Sequence, residues 1–60
     1  MAMDINITKQ FKVLNVDTPI TPNQLEKEIH SGWMMISSLS YQENGVWRFV
    51  YYFKNRNYGL

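Results

Sequence analysis

The stretch WMMISSLSYQENGVWRFVYYFKNR, Trp33 to Arg56, decides the fold. Asn44-Gly45 lies between two runs rich in β-branched and aromatic residues. A type I′ turn needs positive φ at both central positions, so Asn-Gly predicts a β-hairpin with a two-residue loop. Glu43 then pairs with Val46, and the rest of the register follows. One face carries Trp33, Met35, Ser37, Leu39 and Tyr41 opposite Arg48, Val50, Tyr52, Lys54 and Arg56. The other carries Met34, Ile36, Ser38, Ser40 and Gln42 opposite Trp47, Phe49, Tyr51, Phe53 and Asn55. A sheet with one wet face alternates apolar and polar residues. This hairpin is apolar on both faces.

Upstream of the hairpin, the sequence predicts a helix over 21–31. Thr21 is the N-cap, Pro22 takes the first helical position, and Gln24 completes a capping box. Ile20 and Leu25 form the hydrophobic staple, and Gly32 stops the helix in a left-handed conformation. The apolar stripe is Leu25 and Ile29, with Glu26, Lys27, Glu28 and His30 on the wet side. Burying those two side chains contributes on the order of 4–6 kcal/mol. Such a helix shields part of one sheet face and no more.

Further upstream, residues 5–14 read as a strand. Ile5, Ile7, Phe11 and Val13 share one side and Asn6, Thr8, Gln10 and Lys12 the other. Leu14 and Val16 break that phase, which predicts a bulge or the strand's end near Val13-Leu14. The expected fold class is α+β: a single β-α-β-β domain with a three-stranded, mostly antiparallel sheet of order 1-3-2 and the helix packed on one face. Its expected parts are strand 5–14, helix 21–31, strand 33–42, the Asn44-Gly45 turn, strand 46–54 and a tail at 55–60. Trp47, Phe49, Tyr51 and Phe53, with Met34 and Ile36, form the expected core stripe under the helix.

At sixty residues, a domain buries only about 60% of its unfolded surface and needs a further staple. The chain has no cysteine and one histidine, His30, so disulfides and thiolate or multi-histidine metal sites are excluded. No cofactor or metal is expected, and oligomerisation is the staple that remains. The net charge of +1 is unevenly spread. Residues 44–60 carry Arg48, Lys54 and Arg56 with no acid, whereas the acids Asp4, Asp17, Glu26, Glu28 and Glu43 all lie earlier. Neither a bilayer-spanning apolar run nor a signal peptide is apparent, so a cytoplasmic protein without a membrane partner is expected.

Catalysis finds little support. Glu26 and Glu28, like Glu28 and His30, are two apart on a helix and do not face each other, while Glu26 and His30 suit a surface ion pair. Ser37, Ser38 and Ser40 have no nearby base or nucleophile elbow, and the three glycines are too scattered to cradle phosphate. The expectation is a protein without enzymatic activity.

From Leu25 to Lys54 the chain resembles a family of small bacterial and phage domains of unknown function. The matching elements are Leu25-Glu26-Lys27-Glu28-Ile29, Gly32-Trp33, Met35-Ile36 with Ser37, and Tyr51-Tyr52-Phe53-Lys54. Met34, where a polar residue usually follows the Trp, and the more aromatic last strand depart from the family pattern. Both departures add apolar surface and argue against a monomer. The resemblance implies a β-α-β-β fold with no known catalytic residues. By analogy of size and architecture, it also implies a phage-encoded anti-defence protein that inhibits a bacterial antiphage-defence enzyme, inhibitors of the Hachiman system being one example.

The expected function is therefore protein–protein interaction, as a homodimer that also binds a host protein. The expected interface is Trp33, Met35, Leu39, Tyr41, Arg48, Val50, Tyr52 and Lys54, a mixture of large apolar bodies and basic ends common at interfaces. The alternative is single-stranded nucleic-acid binding, with aromatic residues stacking bases and Arg48, Lys54 and Arg56 meeting phosphates. The recognition-sheet motif of RNA-binding domains is missing, and the positive charge is low.

Overall fold

A computed structural model of the chain describes residues 3–57. The elements run β1 (Met3–Ile7), β2 (Phe11–Val16), α1 (Pro22–His30), β3 (Trp33–Glu43) and β4 (Val46–Asn55). The strands form one four-stranded sheet of order β1-β2-β4-β3, with every neighbouring pair antiparallel. The fold is thus α+β, and the three-stranded 1-3-2 sheet is corrected to four strands. β4 lies between β2 and β3, and β1 is the added strand. The end of the expected tail, residues 58–60, lies outside the described residues.

The added strand comes from a turn without glycine. The segment expected as one strand breaks at Thr8–Gln10, where the hydroxyl of Thr8 does the work of a turn residue. The Phe11 N–H donates to Thr8 Oγ1 at 3.0 Å, and the Thr8 N–H donates to the Phe11 carbonyl at 2.8 Å. Such hydroxyl-closed turns compete well with an extended backbone. The chain folds back, pairing Ile7 with Lys12 and Ile5 with Leu14. This reversal, rather than a bulge at Val13-Leu14, explains the phase break. Leu14 and Val16 join Ile5 and Ile7 on one face, and Phe11 and Val13 turn to the other.

The β3–β4 hairpin closes on Asn44 (φ 53°) and Gly45 (φ 79°), as a type I′ turn requires. Register matches the expectation from Glu43↔Val46 back to Ser37↔Tyr52. A bulge at Ile36 then shifts it, so that Met35 meets Phe53, Met34 meets Lys54 and Trp33 meets Asn55. One extra residue moves every later side chain to the opposite face. Trp33 and Met35 therefore join the Phe53 face, and Met34 leaves it.

The helix begins as its sequence dictates. Thr21 Oγ1 accepts from the Gln24 N–H at 3.2 Å, and Gln24 Oε1 accepts from the Thr21 N–H at 2.9 Å. Gly32, at φ 91°, follows the C-cap Ser31, and its N–H donates to the Ile29 carbonyl at 3.0 Å. Thr21→Ala removes one arm of the box and is expected to cost roughly 1 kcal/mol. A lower urea midpoint with an unchanged slope is the expected readout.

The core is small. Val16, Tyr51 and Phe53 form the buried cluster, with Leu14, Ile20, Leu25, Trp33 and Phe49 packed against it. Phe53 is fully buried. The hydroxyl of Tyr51 accepts from the Ile20 N–H at 3.0 Å and ties the loop before the helix to the sheet. Asn55 fastens the end of β4 to the β1–β2 turn through its N–H to the Gln10 carbonyl, at 2.8 Å.

Candidate interaction surfaces

The strand register divides the sheet into two faces. On one, Lys12, Leu14 and Val16 of β2 lie beside Phe49, Tyr51 and Phe53 of β4, and Leu25 of α1 packs on this cluster. On the other, Phe11, Val13 and Asn15 of β2 lie beside Lys54, Tyr52 and Val50 of β4. Leu39 and Tyr41 of β3, opposite Val50 and Arg48, complete that helix-free face.

Coverage on the helix side is partial. No residue of α1 is buried. Trp47, expected in the core stripe, is 52% exposed because β2 ends at Val16, opposite Phe49, and the hairpin tip runs on without a neighbour. Ile5, Ile7 and Ile29 also remain exposed. A groove of about 280 Å³ lies between α1 and the β1–β2 pair, lined by residues that include Ile5, Leu14, Ile20 and Tyr51. Across its wall Lys12 Nζ donates to Glu28 Oε1 at 2.8 Å and sits 5.8 Å from the Trp33 ring centroid. Glu28 thus departs from the wet side on which the helix pattern places it. Lys12 draws it inward, because the Thr8–Gln10 turn puts Lys12 on the helix face.

The helix-free face is different in kind. Val50 is only 6% exposed there, although among the described residues no second layer covers this side. Its cross-strand neighbours are Asn15 on β2 and Leu39 on β3. The side-chain oxygen of Asn15 is buried with no hydrogen-bond partner among the described residues. Leu39 is 46% exposed and Tyr41 and Phe11 are exposed beside them. Arg48 and Lys54 flank this apolar centre along β4, and neither makes an ion pair among the described residues. Of the eight expected interface residues, the structure brings Leu39, Tyr41, Arg48, Val50, Tyr52 and Lys54 onto one face. Trp33 and Met35 are corrected to the helix side, where they line a second groove with Leu25, Ile29 and Arg56. Sequence reasoning missed Phe11 and Val13 on this face, since only the tertiary turn at Thr8–Gln10 puts them there.

Catalytic geometry does not assemble from the residues considered. His30 is 3.5 Å from Glu26 on the exposed helix surface, while Ser37, Ser38 and Ser40 lie exposed on β3. Among the described residues no group of three or more His, Cys, Asp or Glu is placed to hold a metal ion, and no helix is long and apolar enough to cross a membrane. Comparison with protein-family models, curated proteins and solved structures found no match to the chain.

Proposed function

We propose that the protein is a non-enzymatic interaction module, working as a homodimer, that binds a second protein through its helix-free sheet face. The observation that supports this most is the exposed pair Leu39 and Tyr41 beside the buried Val50, edged by Arg48 and Lys54. Exposed apolar and aromatic side chains next to an arginine are the composition of binding hot spots. The resemblance to small phage domains extends the proposal. The bound partner is a host antiphage-defence protein, which a phage-encoded copy of this module inhibits in the bacterial cytoplasm. The Hachiman type is one instance.

A second reading has one observation in its favour. Tyr41 and Tyr52 share their face with Arg48 and Lys54, as base stacking with phosphate contacts requires. Against it, the third cation, Arg56, lines the groove beside Leu25 and Trp33 instead.

Immobilised protein, its Tyr52→Asp variant, and labelled oligonucleotides separate the two. The interaction reading expects a defined bacterial protein retained by the wild type and lost from the variant. It also expects no saturable oligonucleotide binding at physiological salt. Tight single-strand binding that weakens steeply with salt contradicts it and supports the second reading.

A further inference from the structure

We propose that the homodimer forms by antiparallel pairing of β3 with the β3 of a second copy, about a two-fold axis at Ser40, giving one continuous eight-stranded sheet; this rests on the homodimer part of the proposed function. β3 is an edge of the sheet, eleven residues long, and all but Trp33 are exposed. Natural edges are blunted by charge, proline or a bulge. The bulge at Ile36 blunts the base of this one, but the seven residues from Ser37 to Glu43 run on without a bulge or proline and with a single charge at their very end.

The hairpin's own hydrogen bonds decide which groups point outward. A two-residue turn makes its closing pair, Glu43 and Val46, a hydrogen-bonded pair, and the pattern alternates from there. Tyr41, Leu39 and Ser37 therefore bond inward to β4. The backbone N–H and C=O groups of Gln42, Ser40 and Ser38 face the free edge. In an antiparallel ladder centred on Ser40, Ser38 meets Gln42 of the second copy and Ser40 meets Ser40, with two hydrogen bonds per pair. Every outward group between the bulge at Ile36 and the turn finds a partner.

Side chains agree with that register. On the helix-free face, Leu39 lies directly opposite the Tyr41 of the other copy, twice over, as an aliphatic–aromatic cross-strand pair. On the helix side only serine and glutamine meet, and these small side chains leave room. Glu43 falls opposite Ser37, so no like charges are apposed. Antiparallel pairing also brings the acidic turn end of one copy toward the basic base of the other, where Lys54 is two residues beyond Tyr52, the partner of Ser37. Neither Glu43 nor Lys54 has an ion pair within one chain among the described residues. The pairing is closed by its two-fold axis, whereas pairing β3 with the shorter β1 edge of another copy would propagate into a fibre.

Single-cysteine variants test the register, because the chain has no cysteine of its own. A hydrogen-bonded antiparallel pair has Cα atoms about 5.5 Å apart, within disulfide range. Ser40→Cys is expected to oxidise to a covalent dimer, and Ser38→Cys, whose opposite is Gln42, to stay largely uncrosslinked. Ser40→Pro removes only an outward N–H, so the strand signal in circular dichroism persists while the dimer dissociates at least about 100-fold more readily. Ser40→Lys, which keeps the N–H and places two cations face to face, is expected to do the same. A wild-type dimer that Ser40→Pro and Ser40→Lys leave intact, with no Ser40→Cys crosslink, overturns the seam and leaves the homodimer standing. A wild type that is monomeric throughout overturns both.

Discussion

Phe53→Ala leaves the protein without a cooperative unfolding transition at 25 °C. Phe53 is the fully buried large side chain among the described residues, and the buried residues that cluster with it there are Val16 and Tyr51. Removing a buried phenyl ring costs about 3–5 kcal/mol, the lost transfer energy plus the cavity left behind. A folded chain of this length has roughly 3–9 kcal/mol in total. Collapse around the cavity offers little relief, because Phe53 is held in the central strand β4 by ladders to Lys12 and Met35. Circular dichroism through a urea titration is the measurement. A sigmoidal transition whose midpoint matches the wild type would place the core elsewhere. Trp47→Ala is the informative contrast, since that larger side chain is half exposed at the hairpin tip and its loss is expected to change the midpoint little.

Leu39→Asp converts the dimer into a folded monomer. Leu39 is 46% exposed in a single chain and lies outside the cluster around Phe53, so its replacement leaves that cluster in place. At the proposed β3 seam it would be buried twice, once from each copy, against Tyr41 of the other. With about half of each leucine left to bury, each loss forfeits about 1 kcal/mol, and each new carboxylate adds a desolvation cost. The dissociation constant is therefore expected to rise by about 10²-fold or more. Analytical ultracentrifugation over a dilution series reads this directly, with circular dichroism showing that the strands persist. Tyr52→Asp, on the central strand away from the seam, is expected to leave the dimer and remove the second protein. Loss of dimer from both variants alike would mean that self-association uses the sheet face instead of the edge.

The parts of the fold that local chemistry determines were legible in the residues. Thr21, Pro22, Gln24 and Gly32 fix the two ends of the helix through backbone groups a few positions away, and Asn44-Gly45 fixes the hairpin and its register as far as Ser37. Two features depend on longer-range balance and were not legible. The turn at Thr8–Gln10 carries no glycine, proline or asparagine and is closed by a threonine hydroxyl and by Asn55 from the far end of the chain. The bulge at Ile36 has no local mark at all. It lets Trp33 and Met35 reach the helix side while Leu39 and Tyr41 stay on the open one. These two features moved the candidate surface, bringing Phe11 and Val13 in and taking Trp33 and Met35 out. The shortage of helix was legible, but its extent was not. Even the helix side keeps Ile5, Ile7 and Trp47 exposed.

In the proposed dimer the two surfaces have separate tasks. There the β3 edge joins two copies, and the face that carries Leu39 and Tyr41 runs across the axis as one surface twice as wide. Light scattering on a sizing column tests the foundation of that arrangement most directly. At roughly 10 µM, where a specific interface of modest size is populated, the expected mass is twice the 7.2 kDa of one chain, falling to a single chain for Ser40→Pro. A wild-type mass of one chain at every concentration would contradict it.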